Sequence, residues 1–384
     1  MEPYTEPKCI MIVAGEASGD LHGSKLVREM RKRNRDLFFS GIGGRALKQA
    51  GVRILVDASE LSVVGITEVF SKISGICKAM AIGKRLLKSL RPDLLILIDF
   101  PDFNLHLAGT AKKLAIPVLY YISPQIWAWR PGRVNKIGKR VDHMAVILPF
   151  EEAFYRKHNV PATFVGHPLL ETDRSSNTPI SLQEADPVPV IGLLPGSRDG
   201  EVSRHLPVML EAAKILSRRM KNVRFLISLA PSIEKNDAKT IIERMSADLK
   251  FELETDDVRN VFEKAKIVVA ASGTVTLEAA ISGVPMVIVY KVSRLSYWLG
   301  RAMIQVKNIG LVNLIAGKQI VPELVQNDAS PEKIADRVDG MLSDPIGLEK
   351  MRNELLGIRN LLGHAGASGR TADIAVNLLK NKRN

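Results

Sequence analysis

Residues 12–20, IVAGEASGD, close the first apolar run of the chain, KCIMIVA, and lead into a helical pattern near Leu21. An apolar run that ends in glycine and delivers Glu16, Ser18 and Asp20 within five residues of each other is a strand-to-helix turn furnished with polar groups. The same pattern recurs downstream. LFFSGIG, LLILIDF, PVLYYIS, HMAVILP and ATFVG are strand-length apolar runs separated by helix-length amphipathic segments, the signature of βαβ units and a parallel sheet. The alternation lapses over residues 167–189, HPLLETDRSSNTPISLQEADPVP, whose prolines, serines and acids read as an interdomain linker. It restarts with VPVIGLLPG, NVRFLISLA, LKFELET, KIVVAAS and PMVIVYK. The expected fold class is therefore α/β, with two doubly wound Rossmann-like domains facing a central cleft. Residues 1–168 form the first domain and 169–345 the second, and the helical patterns over about 346–384 are free to pack back on the first. Ligands in such sheets bind at the carboxyl ends of the strands, so function belongs in the strand-to-helix turns.

Bulk properties agree with two packed domains. The chain has 384 residues, 46% hydrophobic and 25% charged, close to globular averages. Cys9 and Cys77 belong to no CxxC or Cys/His cluster, which suits a reducing compartment. The N-terminal MEPYTEPKC has acids and prolines where a secretory signal would be basic and then apolar. Residues 267–290 are the longest apolar region, but Ser272, Gly273, Thr274, Glu278 and Pro285 interrupt it, so no bilayer crossing is expected. A net charge of +13 favours anionic partners: phosphorylated metabolites, nucleic acid or an acidic membrane surface.

Three turns could carry chemistry. In LLPGSRDGEV, residues 193–202, Gly196 and Gly200 allow close backbone approach, Ser197 can cap a helix, and Arg198 offers a forked donor to phosphate oxygens. In VVAASGTVTLEAAISGVP, residues 268–285, Ser272, Gly273 and Thr274 precede a helix and supply free amides at the positive end of its dipole, a ready anion site. Glu278, one turn further in, suits the paired hydroxyls of a ribose, and diphosphate beside ribose means a nucleotide. The third turn, LILIDFPDFN, ends a buried strand with Asp99, expected as a desolvated base, and Asp102, expected as the N-cap of the next helix. The sequence holds no Walker motif, no Asp-x-Asp and no close histidine pair, so no metal and no cofactor is expected, and arginine and backbone must handle the nucleotide charge.

The segments VAGEASGDLHG, IDFPDFN, YYISPQIWAWRPGRVNKIGKRVD, LPFEEAFY, VGHPL, LLPGSRDGEV, ASGTVTLEAA and LVNLIAG together resemble the lipid-A-disaccharide synthase family, inverting glycosyltransferases of the GT-B type. The likeness runs from about residue 10 to beyond 320, departing at Ala17, where many relatives carry a hydroxyl residue. It implies transfer of 2,3-diacylglucosamine from UDP to 2,3-diacylglucosamine 1-phosphate (lipid X), giving a β-1,6-linked disaccharide and UDP. It places the important positions at Glu16, Asp99, Arg198 and Asn313, with Glu278 in the nucleotide turn; Asp99 and Glu16 are expected as catalytic, and Arg198, Ser197, Gly273, Thr274, Glu278 and Asn313 at the donor. It also implies a cytoplasmic protein held at the inner face of the membrane, with the oligomeric state open.

A greasy acceptor needs a surface. From Val69 to Pro92 there is no acid, and Lys72, Lys78, Lys84, Arg85, Lys88 and Arg91 alternate with apolar residues beside LSVVGI, which contains Val64. Such a segment reads as a membrane-surface helix, although an apolar stripe of this kind also faces a core. Trp127, Trp129 and Arg130 open a second basic face with Arg133, Lys136 and Arg140; the tryptophans suit an interface or stacking as well as burial, and the basic face itself reads first as a solvated helix. Ser18, Asp20, Trp127, Arg130, Val64 and Lys72 are thus the expected acceptor-facing or membrane-facing residues. A UDP-sugar 2-epimerase shares the two-domain design and is the runner-up activity. Nucleic-acid binding would want an aromatic-studded basic sheet or a helix-turn-helix, and neither is present.

Overall fold

The computed structural model describes residues 7–58, 69–129, 131–171, 188–230, 233, 235–245, 249–293 and 308–381. The chain divides into two compact units, residues 1–171 with 362–384, and residues 172–361. Most of the expected linker falls outside the described residues.

In the first unit the chain runs β1 Lys8–Ala14, α1 Ala17–Arg33, β2 Leu37–Gly43, α2 Arg45–Gln49, β3 Arg53–Asp57 and α3 Val69–Leu90. It continues through β4 Leu94–Ile98, α4 Pro101–Lys113, β5 Val118–Tyr121, α5 Ile126–Trp129 and α6 Val134–Gly138 to β6 His143–Val146, α7 Pro149–Lys157 and β7 Ala162–Phe164. The strands form one seven-stranded sheet in the order β3-β2-β1-β4-β5-β6-β7, and every pairing is parallel. All five residues of β4 are fully buried, as a central parallel strand covered on both faces must be. Alternate residues feed two cores. Met11, Val13, Leu95, Leu97 and Tyr120 pack with α3, α4 and α7, while Ile10, Ile12, Ile96, Ile98 and Tyr121 pack with α1 and the C-terminal helix.

The second unit contains β8 Val190–Leu194, α8 Asp199–Arg219, β9 Arg224–Ser228, α9 Lys235–Met245, β10 Phe251–Glu254, α10 Val258–Lys264 and β11 Ile267–Ala271. Then follow α11 Thr274–Ile281, β12 Met286–Tyr290, α12 Leu311–Ala316, β13 Glu323–Val325, α13 Pro331–Leu342 and α14 Pro345–Leu361. Its sheet has the order β10-β9-β8-β11-β12-β13, again parallel throughout. The last helix, α15 Ala367–Asn381, belongs to the first unit and packs along α1, whereas α14 stays with α11 and α12 in the second.

Both sheets reverse their winding once. The chain builds β1, β2 and β3 outward and then returns to place β4 on the other side of β1; it builds β8, β9 and β10 and returns to place β11 beside β8. At these switch points neighbouring strands send their connections in opposite directions, which opens a crevice at their carboxyl ends. The turns after β1 and β4 carry Glu16 and Asp99, and those after β8 and β11 carry Arg198 and Thr274.

The half-basic α3 buries Ala79 and Leu87 against the sheet, with Met80 and Leu86 partly covered, and leaves Lys78, Lys84, Arg85 and Lys88 exposed. Its described apolar residues divide between the core and the surface, where Ile82 and Leu90 are exposed. Val64 and Arg130 lie outside the described residues, as do the side chains of Lys72 and Trp129. No described helix is long and apolar enough to cross a membrane.

The return of the chain to the first unit is held by polar contacts. Arg370 donates from Nε to the Val165 carbonyl (2.8 Å), from Nη1 to Ala365 (2.9 Å) and from Nη2 to His364 (2.5 Å), while Glu171 accepts from the Ser368 amide and hydroxyl. Hydrogen bonds from a charged donor contribute about 1.5–3 kcal/mol. Arg370→Ala should therefore lower the stability of the first unit by about 2–3 kcal/mol in urea unfolding, with the second unit's transition unmoved.

Candidate functional site

At the first switch point the two turns lean on each other through a glycine. A Cβ on Gly15 would lie 2.5 Å from the Phe100 ring, so the turn after β1 accepts the turn after β4 only because position 15 has no side chain. Glu16 is the exposed N-cap residue of α1, with Ser18 exposed in the first turn beside it. Asp20 has a different role from the one expected: it is 6% exposed, and its carboxylate accepts from the amides of Gly44 (2.6 Å), Ala46 (2.7 Å) and Leu47 (3.3 Å). Its charge caps α2 rather than facing an acceptor, because three orphan amides at a helix start outcompete solvent for it.

The turn after β4 is strained. Asp99 and Phe100 both adopt left-handed backbone, with φ of 46° and 48°. Non-glycine residues held there cost on the order of 1–3 kcal/mol each. Opposing this, the Tyr120 hydroxyl donates to the Asp99 carbonyl (2.5 Å), and Asn104 Nδ2 donates to the carbonyls of Asp99 (2.6 Å) and Ile98 (3.1 Å). At about 0.5–1.5 kcal/mol each, these three bonds are comparable to the strain they oppose. Tyr120 and Asn104 are both 0% exposed, and Asn104 Oδ1 is buried without a partner, a further cost of keeping that amide in place. Asp102 does not cap α4. Phe100 is the N-cap residue, Pro101 follows, and the Asp102 carboxylate is paired with Arg133 at 2.7 Å.

Trp127 is also an interior residue. It is 9% exposed, stacks edge-on against Phe150 at 4.8 Å, and donates from Nε1 to Glu151 at 3.0 Å. Burial pushes the Glu151 carboxyl up to about 7, against the opposing bonds from Leu148, Trp127 and Ile147.

At the second switch point, Gly196 has φ of 124°, and a Cβ there would fall 2.5 Å from Glu201 Oε2. Ser197 does not cap α8: Arg198 is the N-cap residue, and Glu201 reaches back from the first turn to accept from the Ser197 amide at 3.0 Å. The Arg198 side chain is 72% exposed with its guanidinium 3.9 Å from Glu201. Behind the turn, the buried His205 ring bridges the Pro195 carbonyl and the Lys291 amide, both at 3.0 Å. That pairing fixes a neutral ring with Nδ1 as donor and Nε2 as acceptor, and burial holds its pKa below the usual value.

The turn after β11 ends in Gly273, the N-cap residue of α11, with Thr274 exposed behind it. Gly273 has an extended φ of 170°, and a Cβ on it would meet nothing within 4 Å. Among the described residues, neither a left-handed φ nor packing requires a glycine there. Glu278 stands one turn on; its carboxylate makes no hydrogen bond among the described residues and is pushed up to about 7, first by burial and then by Asp257, with Arg259 opposing.

Asn313 departs most clearly from expectation. It is 0% exposed and saturated: Nδ2 donates to the Val321 carbonyl (2.9 Å) and Glu323 Oε1 (2.7 Å), and Oδ1 accepts from the amides of Ile320 (2.8 Å) and Val321 (3.0 Å). Glu323 in turn accepts from the amides of Ile309 and Gly310. Asn313 therefore ties α12 to β13 and has no hydrogen-bonding capacity left for a sugar. A cavity of about 800 Å³ beside α13 and α14, lined by Lys333, Arg337, Met341 and Met351 among others, includes none of these turns.

Two all-parallel sheets, each gathering its polar turns at its own switch point, define a GT-B-type α/β protein. Two solved structures share that fold: Acinetobacter baumannii MurG, at 15% identity and TM-score 0.59 over 97% of this chain and 100% of that one, and UDP-GlcNAc 2-epimerase from Neisseria meningitidis bound to UDP-GlcNAc, at 13% and 0.64 over 97% and 100%. At such identities the likeness is one of fold alone. The lipid-A-disaccharide synthetase family profile matches residues 10–359. A lipid-A-disaccharide synthase of Geobacter metallireducens is 48% identical over 98% of both chains. The chain belongs to this family and is a glycosyltransferase.

Two outcomes follow from the site. Gly15→Ala should cost about 1–3 kcal/mol of first-unit stability by forcing the Phe100 ring aside, measured by urea unfolding. Glu278 in the folded chain keeps a proton that the unfolded chain releases between about pH 4.5 and 7. Its contribution to stability therefore falls as pH rises through that window. Relative to the parent, Glu278→Gln should gain second-unit stability from pH 5 to pH 8, read as a difference in thermal midpoints.

Proposed function

We propose that the protein transfers 2,3-diacylglucosamine from UDP-2,3-diacylglucosamine to lipid X, with the nucleotide held at the second unit's switch point and the acceptor activated at the first. Family membership supports the reaction, and the observation that carries the site assignment is Gly273. A glycine demanded by neither φ nor packing suits a backbone that a ligand approaches closely. The amides following it, with the positive end of the α11 dipole, receive the diphosphate. The exposed Arg198 guanidinium adds a forked donor. The Glu278 carboxylate, with no hydrogen bond among the described residues, accepts from the ribose hydroxyls.

In the transfer step the acceptor 6-hydroxyl oxygen attacks C1 of the donor sugar from the face opposite the diphosphate. The C1–O bond breaks, UDP leaves with the electron pair, and the hydroxyl proton passes to Asp99. Inversion follows from the opposite-face attack. Arg198 and the Gly273–Thr274 amides stabilise the charge growing on the departing diphosphate, an effect commonly of a few kcal/mol. Glu16, exposed at the neighbouring turn, orients the acceptor.

The lipid substrates also require access to a membrane. Lys84 and Arg85 of α3 and Lys136 of α6 are exposed cations of the first unit, and His106 of α4 is held below its usual pKa, first by burial and then by Lys136, Arg140 and Lys84, with Asp102 opposing. These cations suit anionic lipid headgroups and a peripheral position at the inner face of the cytoplasmic membrane.

The direct test mixes purified protein with both acyl substrates and looks for UDP and a disaccharide; no UDP release would remove the proposed reaction. Asp99→Asn should lower kcat by about 10²–10⁴ while UDP affinity is kept, and near-parental kcat would remove Asp99 as the base. Gly273→Ala should cost no more than about 1 kcal/mol of second-unit stability as the N-cap of α11 and weaken UDP binding tenfold or more, about 1.4 kcal/mol, in calorimetry. Neutralising Lys84, Arg85 and Lys136 together should reduce flotation with anionic vesicles at low salt, and unchanged flotation would discredit their role.

A further inference from the structure

We infer that Tyr120 and Asn104 are positioning residues for the transfer, holding the left-handed Asp99-Phe100 elbow from behind so that the Asp99 carboxylate is presented at the strand end. The inference rests on the reading of Asp99 as the base and goes beyond it, since neither residue reaches the reacting atoms.

Two consecutive non-glycine residues with φ of 46° and 48° do not persist without support. Both supports converge on the backbone carbonyl of Asp99 itself. The Tyr120 hydroxyl, from the adjacent strand β5, and Asn104 Nδ2, from the first turn of α4, donate to that oxygen, and Asn104 also takes the Ile98 carbonyl before it. A third contact fixes the following residue: the Phe100 carbonyl accepts from the Asn104 amide at 3.0 Å. Phe100 itself is pinned between Gly15 and Phe103, whose ring centroid lies 5.2 Å away. Neither donor is needed for a solvent contact or for a strand ladder. Tyr120 is fully buried with its hydroxyl spent on the elbow, and Asn104 leaves its own Oδ1 without a partner in order to aim both N–H groups at it. Loss of either donor lets the peptide after Asp99 relax toward ordinary φ, and a rotation about that peptide swings the carboxylate away from the acceptor oxygen.

The test compares four single variants in the full chain: Tyr120→Phe, Asn104→Ala, Asp99→Asn and Tyr155→Phe. Tyr155 is a buried tyrosine of the same unit whose hydroxyl is bonded to Ser123 and lies outside the elbow, so it controls for loss of a buried hydroxyl. Misplacing a catalytic group by about 1 Å commonly costs up to about 100-fold, so Tyr120→Phe should lower kcat about 10- to 100-fold with KM for both substrates within about threefold of the parent. Tyr155→Phe should lower the thermal midpoint by a similar amount and leave kcat unchanged. Asn104→Ala should repeat the kcat loss and carries the test if Tyr120→Phe does not fold. The inference is overturned if Tyr120→Phe or Asn104→Ala folds and keeps its kcat, or if Tyr155→Phe loses as much. Asp99→Asn separates the two levels. Its inactivity beside an active Tyr120→Phe removes only the elbow, whereas its full activity removes the base assignment and the elbow with it.

Discussion

Two parallel strands whose connections leave in opposite directions cannot have their carboxyl ends covered by their own crossover helices. That constraint acts twice in this chain, between β1 and β4 and between β8 and β11. At the two switch points, the first turns of four helices and their backbone amides stand at the strand ends. The polar residues that the sequence concentrates there have no comparable setting elsewhere in the described fold.

Much of the polar chemistry at these turns is internal. Asp20, Glu201 and Asn313 each spend their side chains on backbone amides, and His205 bridges a carbonyl and an amide behind the Arg198 turn. Glu201 and His205 fix the turn that carries Arg198, while Asp20 and Asn313 tie neighbouring segments of their own units. Their mutation would disable a glycosyltransferase as surely as loss of a contact residue, which is why importance inherited from a family does not distinguish ligand contact from support. Asn313 illustrates the point, because a saturated amide with 0% exposure acts only through the loop it ties.

The central strands and both switch-point turns were legible from sequence because a buried parallel strand is an unbroken apolar run, and a glycine-ended turn with polar residues is a distinctive break in it. Two strands escaped. RILVD of β3 and ELV of β13 are sheet edges, short and half-exposed, so neither has the run that marks a central strand. Glu16, Arg198 and Thr274 stand exposed at the turns where the spacing puts them, whereas Asp20, Asn313 and Trp127, read as ligand-facing or surface-facing, are buried and bonded internally. Sequence spacing shows which polar residues stand near a turn but not which way each carboxylate or amide points. Tyr120 and His205 gave no signal, since each looks like an ordinary residue within its own element. Asn104 and Glu201 lay inside the recognised motifs IDFPDFN and LLPGSRDGEV without a role that spacing could assign.

The central claim is that a nucleotide diphosphate is gripped by helix-end amides and a guanidinium at the β8/β11 switch point. A crystal structure of the complex with UDP tests it most directly. The diphosphate oxygens should lie within hydrogen-bond distance of the Gly273–Thr274 amides and the Arg198 guanidinium, with the ribose hydroxyls on Glu278. UDP lodged in the cavity beside α13 and α14, or on the first unit, would contradict it.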